Sequence, residues 1–412
     1  MYALKKYCRD HLYLNSMALM LNTGIASLFN FLFWMVAGRS MPPESVGLAT
    51  AAVSAAAMIV TLSRLGLDAA LVRYFPGARD REGFYNAIMA INLLATITIS
   101  GIFIIGLNVF SPPLEFLRGW QFFPAFMAYV LLTAACSMQG TALVAIRKAH
   151  LSLVQGFILA VRIPLLYAAS SAGVLGVIES MDFAYLAMLV IGIFLLYRLN
   201  VSGKLGIDLA SLQKSLGFSL GNYVSTILTI APITLIPVMA VNTIGASEGA
   251  YFYIAYSIAT FLLMVPDAVS MSLFVEGSHG MPLKENTVKS IRFAFMVMAP
   301  MALLIMLFGG RLLAMFGSPS YAKALPTLQM LAISSFFSAI TSIYSSVKKV
   351  QKDMATVSCI SLAASASTIG LGYLFLITYG LDGIGYAWLI SNAVVCAVVC
   401  LMMAFRERWT PS

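Results

Sequence analysis

Charged side chains within long apolar stretches are the residues of this sequence best suited to chemistry. Arg162 lies inside the apolar stretch that starts near residue 151, and Pro164 follows two positions later. A helix rises about 1.5 Å per residue, so Arg162 would lie roughly 16 Å into a membrane core of about 30 Å. A charge at that depth costs about 2.5–3.5 kcal/mol on insertion scales and calls for a ligand or a partner. We expect Arg162 to bind an anion; structural pairing with helix carbonyls or a distant acid is the alternative.

A second arginine, Arg64, precedes Asp68 by four residues. If the stretch over 45–68 is one helix, both side chains share a face near its inner end. Two interpretations stay open. The pair either extends toward the nearest membrane surface or faces a polar cavity and contacts a ligand there.

Asp267 is an acid that follows Pro266 in an apolar stretch. Because its own predicted helix supplies no nearby cation, its charge must be met by water, by another part of the chain or by a proton. A repeat of about 204 residues would place Asp267 and Arg64 at similar depths on related helices. We hypothesise that they pair as a gate on the cytoplasmic side.

The candidate residues fall into three groups, and none of them is catalytic. Arg162, Arg64 and Asn30 are the predicted substrate-binding residues, Asp267 and Asp68 the predicted coupling or gate residues, and Pro232 and Pro237 the predicted hinge residues. Ordinary kinked packing is the alternative for the two prolines. The sequence shows no nucleophile paired with a base, no metal-ligand spacing and no phosphate loop, so we predict no metal and no cofactor.

Long apolar helices must position these residues. Apolar residues make up 60% of the 412 positions and charged residues only 10%, which leaves a water-soluble domain too little polar surface. Windows of about 20 apolar residues predict an all-α polytopic membrane protein with about twelve transmembrane helices. The predicted spans are 14–38, 45–68, 84–107, 121–145, 151–176, 181–199, 215–241, 249–275, 287–310, 324–346, 354–378 and 382–404.

The basic residues indicate the orientation of these spans. With the N-terminus inside, nineteen of the 25 Lys and Arg residues fall in inner segments and only four in outer ones. This distribution follows the positive-inside rule of membrane proteins. We therefore predict a multi-pass protein of the cytoplasmic membrane with both termini in the cytoplasm. Because the basic residues form no continuous stripe, we predict no nucleic-acid partner despite the net charge of +9.

The two halves of the chain resemble each other. The segment Pro43–Gly47 before the second span matches Ala246–Ala250 before the eighth in position and character. Six spans per half give both copies the same orientation. We therefore predict two pseudo-symmetric six-helix lobes, over 1–199 and 215–412, joined by a cytoplasmic linker over 200–214.

Three motifs carry a resemblance to a known family. They are Arg64–Pro76 after the second span, Glu248–Tyr251 at the start of the eighth and Gly380–Ala387 leading into the twelfth. With the number of spans, they make the whole chain resemble the polysaccharide exporter branch, including O-antigen flippases, of the multidrug, oligosaccharidyl-lipid and polysaccharide exporter superfamily. The resemblance implies a V-shaped pair of lobes around a cationic cavity. It also implies a non-enzymatic flippase that translocates lipid-linked oligosaccharide by alternating access.

The same resemblance implies the partners: a polyprenyl pyrophosphate glycan as substrate, membrane lipids, and proteins of glycan assembly. The chain departs from the lipid II flippase branch, which has fourteen spans and arginines in its first helix, because no charge lies between Asn15 and Gly38. A cation-coupled multidrug antiporter of the same superfamily is the main alternative. A glycan polymerase or ligase is a remote one, because every predicted external connection is short.

Overall fold

The computed structural model describes residues 11–78, 80–146, 148, 150–199, 201, 209–278 and 282–405. This part of the chain is helical and contains no strand. Its α-helices are α1 (His11–Ser40), α2 (Pro43–Ser63), α3 (Leu67–Tyr74), α4 (Arg81–Ile105), α5 (Leu107–Phe110), α6 (Phe122–Ala145), α7 (His150–Leu159), α8 (Arg162–Ala169), α9 (Val174–Arg198), α10 (Leu209–Ile244), α11 (Ala246–Ser278), α12 (Leu283–Ala314), α13 (Leu325–Val350), α14 (Met354–Tyr379) and α15 (Leu381–Phe405). Short 3-10 turns cover Phe75–Gly77, Pro112–Arg118, Ser170–Ala172 and Pro319–Ala324.

Most of these helices have the dimensions of membrane spans. Within the described residues, 11 helical segments are long and apolar enough to cross a bilayer, and α1 contains the first predicted span over 14–38. The prediction of an all-α polytopic membrane protein is therefore confirmed. The physical reason is that backbone polar groups in lipid must be paired within each span, which helices achieve alone.

Three predicted spans differ from the structure in ways that change the surroundings of charged residues. The second ends at Ser63 and not at residue 68, and the sixth begins at Val174 and not at residue 181. The fifth is interrupted between α7 and α8. Each difference involves a local turn that average hydropathy over about 20 residues does not detect.

The chain forms two compact units. The first consists of Met1–Met41 with Ala52–Ile227, and the second of Pro42–Ala51 with Leu228–Ser412. The predicted linker over 200–214 lies largely outside the described residues, and the lobe boundaries at 199 and 215 stay predictions.

In the first unit, α6 packs along α9. The thiol of Cys136 donates to the Tyr185 carbonyl over 3.3 Å, and Nε2 of Gln139 donates to the Leu189 carbonyl over 3.2 Å. Gly192 leaves the room that the Gln139 side chain occupies. These side-chain bonds fix α9 against α6 at two successive turns, which steadies the residues that α9 presents to its other neighbours.

In the second unit, α13 is the central helix and packs against α11, α12 and α15. A local feature of the first unit recurs here. Gly173 before α9 and Gly380 before α15 both have a φ of 61°, which favours glycine. Three residues later, Gly176 and Gly383 each approach the preceding helix so closely that a Cβ would overlap its backbone. The paired turns repeat at close to the spacing found in the sequence.

Arg118 closes the end of α4. Its Nε donates to the Ile104 carbonyl over 3.0 Å and its Nη2 to the Ile105 carbonyl over 2.7 Å. The last carbonyls of a helix lack a donor within the helix and carry partial negative charge, so a cation there satisfies both needs.

We expect Arg118→Ala to lower the free energy of unfolding by about 1–2 kcal/mol, because two charged hydrogen bonds are lost. Thermal unfolding of the purified protein in detergent measures this. Glu115→Ala is the matched control, because it removes only the exposed Arg118–Glu115 ion pair of 3.3 Å, for which about 0.5 kcal/mol or less is expected. Equal losses in both variants would show that the ion pair, and not the helix cap, stabilises this end.

Candidate functional site

The interruption of the fifth span lies directly before Arg162. Pro164 has no N–H, and its ring collides with the carbonyl four residues earlier, at Ala160. The backbone there changes to shorter bonds, from Ala160 N to Phe157 O and from Ile163 N to Ala160 O, both 3.0 Å. Helix α7 therefore ends at Leu159, and α8 restarts with Arg162 as its first residue.

The Arg162 side chain is buried in the first unit, with 7% of its surface exposed. Its Nη2 donates to Oδ1 of Asn30 over 3.3 Å, and its guanidinium carbon lies 4.8 Å from the centre of the Phe33 ring. The Nε atom has no hydrogen-bond partner among the described residues. The structure therefore joins two of the predicted substrate-binding residues and leaves a charged donor available for an acceptor.

A third helix contributes to the same place. Tyr185 of α9 interacts electrostatically with Arg162, and its ring meets that of Tyr129 edge-on at 5.9 Å. Asn30 lies ten residues before the end of α1, and Arg162 ten residues before Ala172, which puts both roughly 15 Å from the end of their spans. We call Asn30, Phe33, Arg162 and Tyr185 the Arg162 cluster.

The early start of α9 brings Glu179 into a span and moves Asp182 away from the end of that span. Glu179 and Asp182 lie five and eight residues after Val174, so Asp182 is roughly 12 Å from the helix end. Its Oδ1 is buried and has no hydrogen-bond partner among the described residues. Asp182 is thus an acid inside a span that is not among the residues predicted from the sequence. The glycine pair at 173 and 176, which repeats the pair at 380 and 383, is the signal that predicts this earlier helix start.

Arg64 does not share a helix with Asp68. Leu65 and Gly66 both have positive φ, 49° and 75°, and this turn separates α2 from α3. Asp68 lies in the first turn of α3, where a carboxylate is favourable beside free N–H groups. Burial lowers the pKa of the half-buried Arg64 guanidinium, and the nearby Asp68 carboxylate opposes that shift. Its Nε lacks a hydrogen-bond partner among the described residues.

The end of α2, directly before Arg64, is hydrogen-bonded to neighbouring helices. The Tyr223 hydroxyl donates to the Leu62 carbonyl over 2.6 Å, and Nδ2 of Asn92 donates to the Ser63 carbonyl over 3.1 Å. These bonds satisfy carbonyls that the end of α2 leaves without an intrahelical donor. The break at Arg64 is therefore a fixed feature of the first unit.

Asp267 has a cation nearby that the sequence does not reveal. Its side chain is exposed on α11 and interacts electrostatically with Lys349 in the last turn of α13, within the second unit. That end of α13 is predicted to lie on the cytoplasmic side. Asp267 therefore faces a basic end of the unit, and its pairing with Arg64 stays a prediction.

The predicted hinge prolines both lie inside α10, which continues through Pro232 and Pro237. Pro232 follows the boundary between the two compact units at residue 227 by five residues. Their hinge role stays a prediction. In the described part of the chain, no three His, Cys, Asp or Glu side chains lie close enough to hold a metal ion.

Comparison with known proteins places this geometry in a known fold. Neither a protein family nor a curated protein matches the sequence. Several solved structures match along nearly the whole chain. The lipid II flippase MurJ, in an inward closed conformation, matches with a TM-score of 0.76 and 11% identity over 95% of this chain and 87% of MurJ. An inward-facing multidrug resistance MATE family transporter of the MOP superfamily matches with a TM-score of 0.70 and 15% identity, over 95% of this chain and 100% of the MATE chain. A MOP superfamily transporter from Pyrococcus furiosus, whose binding pocket has reversed polarity, matches with a TM-score of 0.61 and 15% identity. The match covers 95% of this chain and 94% of the Pyrococcus furiosus chain.

The chain has the MOP superfamily fold.

This fold is that of multi-pass membrane transporters, and the solved MOP structures named above are transporters and flippases and not enzymes. The fold that the sequence resemblance implies is therefore confirmed. Within the MOP fold, lipid-linked and drug-like substrates both occur, since MurJ moves lipid II and the MATE protein is a multidrug transporter. At 11–15% identity, the substrate of this chain must be argued from its own residues.

Proposed function

We propose that this transporter is a flippase that moves lipid-linked oligosaccharide across the cytoplasmic membrane by alternating access. The observation that carries the proposal is the buried Arg162, at midplane depth, with an Nε donor that has no partner among the described residues. An arginine binds phosphate oxygens through parallel N–H bonds. A polyprenyl pyrophosphate group supplies such oxygens and offsets the cost of the buried charge.

The neutral members of the Arg162 cluster fit the same ligand. The Asn30 amide and the Tyr185 hydroxyl donate and accept hydrogen bonds, which suits phosphate oxygens and sugar hydroxyls alike. A saccharide with an anionic anchor cannot cross hydrocarbon unaided because its polar groups lose their hydration. In this proposal the cluster replaces that hydration while the prenyl tail stays in lipid.

The remaining predicted residues take supporting roles in the proposal. Arg64 is a second cation for the head group, Asp267 and Asp68 belong to the coupling or gate machinery, and Pro232 and Pro237 form a hinge in α10. Both termini lie in the cytoplasm, as the distribution of basic residues indicates. Membrane lipids and glycan-assembly proteins are the proposed partners.

A deletion strain tests this function. Without the protein, we expect lipid-linked oligosaccharide to accumulate with its head group in the cytoplasmic leaflet. An impermeant glycosidase should then cleave it in sealed inverted vesicles and spare it in right-side-out vesicles. Normal surface glycan in a deletion strain that has no redundant flippase would contradict the proposal.

A cation-coupled antiporter for small molecules is the second candidate, and Asp182 is the observation that favours it. A carboxyl group inside a span is well placed to bind a cation during transport. The distinguishing measurement is ion-driven dye efflux from proteoliposomes made without any lipid-linked sugar. Efflux there supports the antiporter, whereas efflux only of labelled lipid-linked sugar supports the flippase.

A further inference from the structure

Two free thiols lie next to each other near the end of α15 that is predicted to be cytoplasmic. Cys396 is buried, and Cys400, four residues later, is exposed. Their Sγ atoms are 4.0 Å apart, because residues at this spacing share one face of a helix. Cys400 lies five residues before Phe405, where α15 ends, which puts it roughly 8 Å from the helix end. An ion can therefore reach the pair from the cytoplasmic side.

The distance between the two sulfurs suits one shared metal ion. A thiolate sulfur binds a metal such as zinc at about 2.3 Å, so two sulfurs on one ion are about 3.8 Å apart at a tetrahedral angle and about 4.6 Å apart in line. The observed distance of 4.0 Å lies between these values. Both thiols can therefore bind a common ion while the helix stays intact.

A third sulfur follows on the same helix face. Met403 comes three residues after Cys400 and seven after Cys396, and these spacings place all three side chains on one face. Met403 packs against the buried cluster that contains Val395 and Val399 of the same helix. Its unbranched thioether side chain adapts readily to a neighbouring ligand. Helix α15 thus offers three soft ligands in a row.

The chemistry of these ligands selects the ion. Thiolate and thioether sulfurs favour soft ions such as Cu(I). A structural Zn²⁺ site takes four ligands, and the described residues contain no group of three His, Cys, Asp or Glu side chains close enough to hold a metal ion. Cu(I) is satisfied by fewer ligands, so a pair of thiolates with one thioether fits Cu(I) better than zinc.

A neighbouring helix brings positive charge to the same end of the second unit. A Cu(I) ion bound by two thiolates carries a net negative charge, which a nearby cation offsets. Tyr344 of α13 belongs to the same buried cluster as Val395 and Val399. Nζ of Lys348 lies 5.4 Å from the centre of the Tyr344 ring. The last turn of α13 therefore favours an anionic complex on α15.

We propose that Cys396 and Cys400, with Met403 as the third ligand, form a binding site for one Cu(I) ion. Each thiol loses its proton to the solvent as its Cu–S bond forms, and the oxidation state of copper does not change. The proposal departs from the sequence prediction of no metal, because only the structure gives the distance between the sulfurs. It is independent of the proposed function, since no step of transport uses this site.

Titration of the purified native chain with Cu(I) alone tests the site. The ion is added in the absence of oxygen, with a reductant that contains no thiol, against a coloured chelator that competes for Cu(I). We expect one ion per chain and an ultraviolet charge-transfer band between thiolate and copper. The melting temperature should rise with added Cu(I), because the ion binds the folded chain.

Substitution of the sulfurs assigns the ligands. Cys396→Ser and Cys400→Ser should each weaken Cu(I) binding by about 100-fold or more, because Cu(I) prefers sulfur to oxygen, and Met403→Leu by about tenfold. Cys359→Ser is the matched control. Cys359 is a free, exposed thiol of α14, the helix that packs along α15, and its loss should leave the affinity unchanged.

Three results would overturn the site. One is failure of the native chain to take Cu(I) from the chelator. Another is unchanged affinity in Cys396→Ser and Cys400→Ser, which shows that the two thiols only hydrogen-bond to each other. The third is an equal loss in Cys359→Ser, which shows adventitious binding by scattered thiols. The melting temperature of each variant without copper is measured first, and Cys400→Ser, at an exposed position, provides the ligand test if Cys396→Ser does not fold.

Discussion

Arg162→Gln is expected to lower transport of lipid-linked oligosaccharide about 100-fold while the protein still folds. Glutamine removes the charge and the paired donors, and hydrogen bonds to charged groups contribute about 1.5–3 kcal/mol, which corresponds to a factor of roughly ten to more than 100. Arg162→Lys keeps the charge but loses the planar fork, so we expect a smaller loss of about tenfold. Translocation of a fluorescent lipid-linked sugar in proteoliposomes measures both variants.

The folding of these variants decides between a binding and a structural role. Arg162 contacts Asn30 and Phe33, so a purely structural arginine would lower the melting temperature in proportion to activity. Arg198→Gln is the matched control, because Arg198 lies at the end of α9 with its guanidinium 5.1 Å from the Phe194 ring. Normal transport by Arg162→Gln would refute the substrate-binding role.

Asp182→Asn is expected to lower gradient-driven transport about tenfold with little change in stability. Asparagine keeps the shape but cannot take up or release a proton or neutralise a bound cation, and each tenfold loss corresponds to about 1.4 kcal/mol. Because Oδ1 of Asp182 has no hydrogen-bond partner among the described residues, the change breaks no hydrogen bond to that oxygen. The measurement is uptake into proteoliposomes with and without an imposed ion gradient.

Asp267→Asn in the same assay tests the coupling role that the sequence predicts for Asp267. Asp267 is exposed and lies near Lys349, so its carboxylate already has an opposite charge. We expect a loss of less than about threefold, since exposed charge pairs contribute about 1 kcal/mol or less. A larger loss of transport in Asp267→Asn than in Asp182→Asn would show that Asp267, and not Asp182, is the coupling residue.

The sequence alone predicts the class of this protein because the membrane imposes one rule on every span. Each stretch must be apolar, about 20 residues long and internally hydrogen-bonded, and loop charge indicates orientation. The importance of Arg162 follows from the same rule, since a charge at midplane depth is conspicuous in any apolar stretch. The sequence alone therefore predicts both the helical, polytopic fold and the importance of this arginine.

The ends and breaks of helices depend on contacts that hydropathy does not contain. The left-handed residues Leu65 and Gly66 end α2 before Asp68, where a continuous helix was predicted. Gly173 starts α9 early and thereby places Asp182 eight residues after the start of the helix, where the predicted span had placed it at the end. Such turns depend on the conformation of one or two residues, whereas the pattern of apolar side chains continues through them.

By itself, the sequence determined an all-α membrane protein with about twelve spans, a repeated half and a buried arginine. Only the tertiary structure decided which residues meet: Asn30 and Tyr185 at Arg162, and Lys349 near Asp267. The reason is that the bilayer selects each helix by composition alone. The partners of a side chain are selected by packing between helices that are far apart in the chain.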